Sequence, residues 1–473
     1  STQSTGTLEI LVREYRQSDQ QILMLQKEID ELKSKLSQIN IESTKQTEDS
    51  KTKTKTIRVK RKKEDKTEDQ NEKEEQHDEK QPESIWGTKK QDSIWGSAPT
   101  ASTQPKNLSN YQLGVPLKQF IEQETTYSTF LQTLFQDKRT KTLPDTWYQG
   151  IFCLSPEPPT IAKPQTWGFH QSSGGPCGFV ACVQARAYPY LFLGRPLKIQ
   201  QPNLFKSAIL SALLDIFQQI TPVGQESVFV LPNCFGAGKQ ELNRIIEEID
   251  SFCAKRYSPD QLKKLLESED FERFCFCKEA SSFVPACVFS FVLSRGVLGV
   301  KGDYDDEGSL FANQNNCSQE LVNLMLTGRA WQNVHNGVVE AGGMQLKGIV
   351  QQGDVGFVSI YEAYNDFKVG SYLKQPKYPT WVCYNEAHFT CLFGQPQILQ
   401  KIREYHDEFP VVGKTEFIYY DALDDQKILY KINVKYDSDL YKKIEYESYV
   451  ENLIATLLPA VEFDWESKDK LLC

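Results

Sequence analysis

The chain has 473 residues, 39 % of them hydrophobic, with 54 Lys+Arg against 63 Asp+Glu and a formal net charge of −9. Residues 1–110 hold acid and base in equal numbers, so the excess acid belongs to the remainder. An acidic body excludes nucleic acid as the main partner, because phosphate binding requires a basic footprint.

The opening residues, Ser1 to Ile10, lack a basic and then apolar leader, and no run of 18 apolar residues follows. The expectation is an intracellular, cytoplasmic protein with reduced thiols and no membrane partner. Twelve cysteines are present, but the close pair Cys275 and Cys277 has no second pair at finger spacing. Neither a metal nor another cofactor is expected.

Residues 1–40 read as a coiled-coil helix. Leu8, Leu11, Tyr15, Ser18, Ile22, Leu25, Ile29, Leu32, Leu36 and Ile39 follow a 3-4 spacing with one polar member. Such a seam buries its apolar side against another helix, so residues 8–39 call for a coiled-coil partner or self-association. Residues 41–110 turn to Lys, Glu, Asp, Thr, Gln and Ser and read as a disordered linker. Its basic run at 51–63 has the composition of a nuclear signal, and Ser-Ile-Trp-Gly occurs twice, at 84–87 and 93–96. A repeated exposed tryptophan reads as a docking peptide.

Residues 111–473 form the globular body. Helical spacing covers 117–135, 205–218, 239–254, 259–275, 286–298 and 318–333. Strand-like runs cover 227–231, 379–384, 389–393, 416–420 and 428–434. Helices largely precede strands, which predicts an α+β fold rather than a doubly wound sheet.

The chemistry concentrates at Gln171-Ser-Ser-Gly-Gly-Pro-Cys177, followed by helical apolar spacing from Phe179 to Tyr188. Cys177 therefore falls at a helix start, where the first-turn N–H groups and the helix dipole stabilise a thiolate. The small residues Gly174 and Gly175 let a substrate backbone approach. Gln171 can present an amide N–H to the oxyanion of a tetrahedral intermediate. A cysteine nucleophile needs a base from elsewhere in the chain. Of the five histidines, His388 opens an apolar strand, whereas His170 lies so near Cys177 in sequence that it reads as a border of the substrate groove. The strand ending Tyr419-Tyr420-Asp421 offers a carboxylate to orient the imidazole.

Gln-x4-Pro-Cys-Gly before an apolar helix, with a distant Ala-His-Phe strand, resembles the MINDY family of deubiquitinases, in its branch with the larger catalytic domain. WYQGIF at 147–152, FSFVLSRG at 289–296 and CSQELVNLMLTG at 317–328 continue the likeness in order, as do 346–360 and 369–393. The resemblance implies a papain-like cysteine protease fold with a helical half and a mixed or antiparallel sheet. It also implies cleavage of isopeptide bonds in polyubiquitin, with preference for the linkage that directs proteins to the proteasome. Cys177 becomes nucleophile, His388 general base and Gln171 oxyanion donor. Two departures stand out: the ubiquitin-interacting helix that names the family is not evident, and Asp421 stands where some relatives have a hydroxyl residue.

One further pattern imitates a calcium loop: Asp303-x-Asp305-x-Glu307-Gly308 with Leu310 in the apolar place. Its closing residue is Gln314, which forfeits a charge and bidentate coordination, and the resembled family has an ordinary connector here. The second functional reading is a scaffold, anchored by the coiled coil to a cytoskeletal or ciliary assembly, that binds ubiquitin without turnover.

Overall fold

The computed structural model describes residues 114–135, 143, 145–149, 168–233, 235, 249–276, 281–312, 316–424, 430–439, 446–458 and 460–465. The anticipated coiled coil and linker lie outside them. Helices, in chain order, are α1 (Leu117–Glu122), α2 (Tyr127–Leu134), α3 (Cys177–Phe192), α4 (Leu204–Ile220), α5 (Pro259–Glu267), α6 (Glu269–Cys275) and α7 (Phe283–Arg295). They continue as α8 (Val297–Asp303), α9 (Gln319–Thr327), α10 (Ile360–Ala363), α11 (Ser371–Lys374), α12 (Ile398–His406) and α13 (Tyr449–Ala455). Strands are β1 (Val115–Pro116), β2 (Ser227–Pro232), β3 (Phe252–Tyr257), β4 (Val338–Ala341), β5 (Met344–Lys347) and β6 (Gly356–Ser359). The remaining strands are β7 (Thr380–Asn385), β8 (His388–Gly394), β9 (Val412–Tyr420), β10 (Tyr430–Asp437) and β11 (Val461–Trp465).

The fold is α+β, with most of its helices ahead of a six-stranded sheet ordered β11-β10-β9-β8-β7-β6. Neighbours in that sheet run antiparallel except β6 and β7, which are parallel. Both faces are covered. On β8, Phe389, Cys391 and Phe393 join the core shared with the large helices, while Leu392 joins a second core with Val450, Leu453 and Ile454 of α13. The period-two alternation of a strand, with both sides apolar, explains why β7 and β8 read as short continuous apolar runs.

Helix α3 is the central element. Every residue from Cys177 to Tyr190 is buried, because the helix is apolar on all sides and needs neighbours on all sides. The Cys391 thiol donates to Ala181 O at 3.3 Å, and the Tyr188 ring stacks on Phe393 at 4.4 Å. Arg186, also buried, donates to Gln219 Oε1 of α4 at 2.7 Å and to Met325 O and Leu326 O of α9 at 3.3 Å each. A guanidinium thus satisfies carbonyls at a helix C-terminus that have no partner within their helix.

Several sequence expectations are corrected. The helix anticipated over 117–135 is two helices, since Thr126 caps α2 by accepting from Thr129 N–H at 3.1 Å. The helix over 259–275 breaks likewise at Ser268, which accepts from Phe271 N–H at 3.3 Å. The segment over 239–254 ends in strand β3, where Phe252 and Ala254 alternate inward and pair with β2. The helix over 318–333 stops at Thr327 because Gly328 adopts φ 79°.

Gly178, in the first turn of α3, touches α9 and the residue before its cap. A Cβ there would lie 2.8 Å from Cys317 Sγ and 2.9 Å from Val322 Cγ2. Gly178→Ala is therefore expected to destabilise the domain by about 1–3 kcal/mol through overpacking, read as a lower urea midpoint. An unchanged midpoint would show that α3 and α9 separate freely at this point.

Candidate active site

Pro176 occupies the N-cap of α3 and supplies no side-chain cap. The Cys317 sulfur takes that place, accepting from the N–H groups of Gly178 and Phe179. The first-turn donors expected to face Cys177 are thus partly spent on a neighbouring thiol. The chain reaches the helix through Gly175, at φ +115°, whose carbonyl accepts from Cys317 N–H at 3.0 Å. Gly175 is buried, and a Cβ on it would press on Thr146 Oγ1 at 2.9 Å, whereas Gly174 is exposed with open space around it. Cys177 itself is 3 % exposed.

His388 is delivered by a tight hairpin. Asn385 pairs with His388, leaving Glu386 and Ala387 as a two-residue turn at φ 44° and 67°. Positive φ at both central positions matches the twist of the strands, but such turns ordinarily carry Asn-Gly or Asp-Gly. Two residues with Cβ atoms here store strain next to the histidine.

The imidazole is bonded to one anticipated partner and acted on by another. His388 Nε2–H donates to Asp421 Oδ1 at 2.9 Å and Oδ2 at 3.0 Å. The Cys177 side chain stands near enough to act on the charge of the ring, and its thiol donates to Gly175 O at 4.0 Å. Burial disfavours the imidazolium, but the bond to Asp421, its charge and the Cys177 side chain outweigh it and raise His388 to about 10. Asp421 is held in turn, its Oδ1 accepting from Leu423 N–H at 2.9 Å.

The other expected residues lie on the loop before α3. Phe169 N–H donates to Gln184 Oε1 of α3 at 3.2 Å, Tyr420 Oη–H donates to Phe169 O at 2.8 Å, and Gln171 N–H donates to Ala422 O at 2.7 Å. These bonds lay the loop along the end of β9, beside Asp421. His170 is exposed on it, and Gln171 is fully buried with its Nε2 donating to Ser173 O at 2.6 Å.

Among the described residues, the other histidines show no such pairing. His335 Nδ1 lies 3.4 Å from Asn336 O, and burial together with Lys374 lowers His406 to about 4. The calcium-like acids are committed internally. Asp303 takes Arg295 at 2.8 Å and Ala330 N–H at 3.1 Å, while Asp305 takes Lys347 N–H at 2.8 Å. Gln314 lies outside the described residues, and no group of three or more His, Cys, Asp or Glu among those described is placed to hold a metal.

Two residues near the site escaped the sequence reading. Gln149 accepts from Ser172 N–H at 2.8 Å and Ser173 N–H at 3.1 Å, across more than twenty residues of sequence. Tyr384 stacks on Phe389 at 4.6 Å, and burial first, with Tyr361 and Cys177 adding to it, raises its pKa. The one available signal was Gln149's position behind two large aromatics in WYQGIF.

An α+β domain that aligns a thiol, an imidazole and a carboxylate has the arrangement of a cysteine hydrolase. Residues 132–467 match the conserved domain of the deubiquitinating enzyme MINDY-3/4, and the chain belongs to that family. It is 31 % identical over 327 residues to the probable ubiquitin carboxyl-terminal hydrolase MINDY-4 of Xenopus tropicalis, covering 66 % of this chain and 42 % of that protein. To the ubiquitin carboxyl-terminal hydrolase MINDY-3 of Mus musculus it is 27 % identical over 294 residues, 57 % of this chain and 65 % of that protein. The chain thus spans about two-fifths of the length of its MINDY-4 relatives. No solved structure matches.

Two outcomes follow from this geometry. In Asp421→Asn the His388 titration, followed by NMR, should move down from about 10 toward the ordinary imidazole range near ~6.5. The folded value lies above the unfolded one, so the pair's stabilisation is complete below ~6.5 and fades as pH rises toward about 10; the variant loses that slope. Ala387→Gly should stabilise the domain by about 1 kcal/mol by relieving the positive-φ turn, read as a higher urea midpoint, and a lowered midpoint would mean that the turn carries no strain.

Proposed function

We propose that this domain is a cysteine isopeptidase that hydrolyses ubiquitin chains. The observation that carries the reading is the His388–Asp421 pair at 2.9 Å, with the Cys177 side chain at the start of α3 among the groups that raise the imidazole. The names of the relatives, ubiquitin carboxyl-terminal hydrolases, support ubiquitin as the substrate. A papain-like arrangement, with the nucleophile on a helix start and the base on the facing sheet, fits the same observation.

In this mechanism the Cys177 thiolate attacks the carbonyl carbon of the isopeptide bond. Negative charge gathers on the carbonyl oxygen and is met by Gln171. The His388 imidazolium then gives its proton to the departing lysine amine as the C–N bond breaks, leaving a thioester. Water, losing a proton to His388, attacks the thioester, and the C–S bond breaks to return the thiolate and release a carboxylic acid, which gives its proton to solvent. Asp421 keeps the imidazole in the orientation that serves both transfers.

Substrate approach suits the loop's chemistry. The Gly-Gly tail of ubiquitin is narrow, exposed Gly174 and His170 border the way in, and Gly175 keeps the loop close to its platform. We extend the proposal to the proteasome-directing linkage and to a cytoplasmic anchor, the coiled coil of residues 8–39 holding the enzyme to an assembly such as the cytoskeleton.

Ubiquitin carrying a C-terminal alkyne should label the full chain and lose that labelling in Cys177→Ala. Binding of ubiquitin without labelling of the native chain would favour the scaffold reading instead. Deleting residues 1–110 should leave turnover of soluble chains unchanged within about twofold, since nothing in that region carries the chemistry.

A further inference from the structure

Between Gln171 and Cys177 the chain has no regular structure, and residues 172 and 173 are held by one side chain from a distant segment. Gln149 Oε1 accepts from Ser172 N–H at 2.8 Å, Ser172 Oγ–H at 2.8 Å and Ser173 N–H at 3.1 Å. Its Nε2 donates to Thr146 O at 2.6 Å and to Ser173 O at 2.9 Å. Both ends of one amide are therefore used on the loop that carries the nucleophile.

Ser173 O is also the acceptor for Gln171 Nε2, at 2.6 Å. A carbonyl oxygen only accepts, so it decides which end of the Gln171 amide faces it. It uses one of the two N–H bonds, and the other is the one the oxyanion role assigns to a substrate oxygen. Gln171 Oε1 is buried with no hydrogen-bond partner, so Ser173 O alone sets the plane of this amide.

Gln149 stands on a firm base. It follows the turn Asp145–Tyr148, whose Trp147 is buried and meets Phe311 edge-on at 4.5 Å, and Ser281 N–H donates to Tyr148 O at 2.5 Å. We propose that Gln149 is a positioning residue that fixes the donor geometry of Gln171 by holding Ser173 O; this rests on the oxyanion role given to Gln171 above. It touches no reacting atom and acts through its neighbour's amide.

The test uses the full chain and compares Gln149→Ala, Gln149→Glu, Gln171→Ala and the double alanine variant. Two rates are measured on each: hydrolysis of a fluorogenic C-terminal amide of ubiquitin, and capture by the C-terminal alkyne. In capture the thiolate adds to the internal alkyne carbon and a proton goes to the terminal one, giving a vinyl thioether. No charge develops on a carbonyl oxygen, so capture reports the thiolate and ubiquitin binding without the oxyanion donor.

Gln149→Ala should lower kcat about 10- to 100-fold with KM within about twofold, since a donor displaced by an ångström loses most of its effect. Capture should stay within about twofold of the native rate, because Gln149 does not serve the thiolate. Gln149→Glu keeps the acceptor for Ser172 and Ser173 but loses both donors, and should fall as far as the alanine variant. The double variant should be no slower than Gln171→Ala, as expected for residues that act as a unit.

Unchanged kcat in Gln149→Ala, or additive losses in the double variant, would overturn the proposal while leaving Gln171 in its role. So would an equal fall of capture and hydrolysis, which marks general support of the loop. Full kcat in Gln171→Ala would overturn the oxyanion reading itself, and the proposal with it.

Discussion

The burial of α3 is the constraint on which the rest depends. A helix apolar on every side has one stable situation, the middle of a core, and here the sheet, α4, α7 and α9 enclose it. Each fully buried Val, Leu or Phe contributes about 1.5–3 kcal/mol, so the position of its first residue is set by the whole hydrophobic assembly. Cys177 is that first residue. A side chain placed this way needs no adjustment of its own backbone, and the burden of fitting falls on the elements that approach it.

Those elements solve the fit by register. The β8–β9 pairing of Cys391 with Tyr420, continued one step, sets Asp421 opposite Thr390. His388 lies two residues further along on the same side, the diagonal relation at which long side chains meet across a sheet. The pairing of Asn385 with His388 then requires the shortest hairpin connection, and Glu386 and Ala387 accept positive φ to make it. A slip of one residue would break this diagonal, turning the imidazole to the other face if β8 moved and the carboxylate if β9 moved. The strain in the turn is thus the counterpart of a register that the site demands.

What could be read in the sequence follows the range of the interactions. Gly-Gly-Pro before an apolar helix and a histidine before an apolar strand are local patterns, and the structure has a helix start and a strand start at those two places. Asp421 was readable because β9 ends just before it. The helix breaks at Thr126 and Ser268 were not, since both segments keep helical apolar spacing and only a side-chain cap interrupts them. The first three residues of strand β3, Phe252 to Ala254, were read as helix because its neighbours, β1 and β2, lie elsewhere in the chain. Gln149 was invisible for the same reason: its partners are more than twenty residues away, and a lone Gln carries no periodicity.

The cysteines show how burial confines reactivity within the same small region. Cys182, Cys317 and Cys391 all lie in or against α3, and burial raises the pKa of each. For Cys317 the charges of Cys177 and Cys182 add to that effect, and the N–H groups of Gly178 and Phe179 offset it only in part. These thiols stay protonated in ordinary buffer and serve as small apolar fillers and weak donors, as the Cys391 bond to Ala181 O illustrates. Cys177 is as buried as they are, so exposure does not distinguish it. The difference is the imidazole of His388, which the bond to Asp421 and the Cys177 side chain raise to about 10 against the effect of burial. The register of β8 and β9 is what brings that imidazole and its carboxylate together.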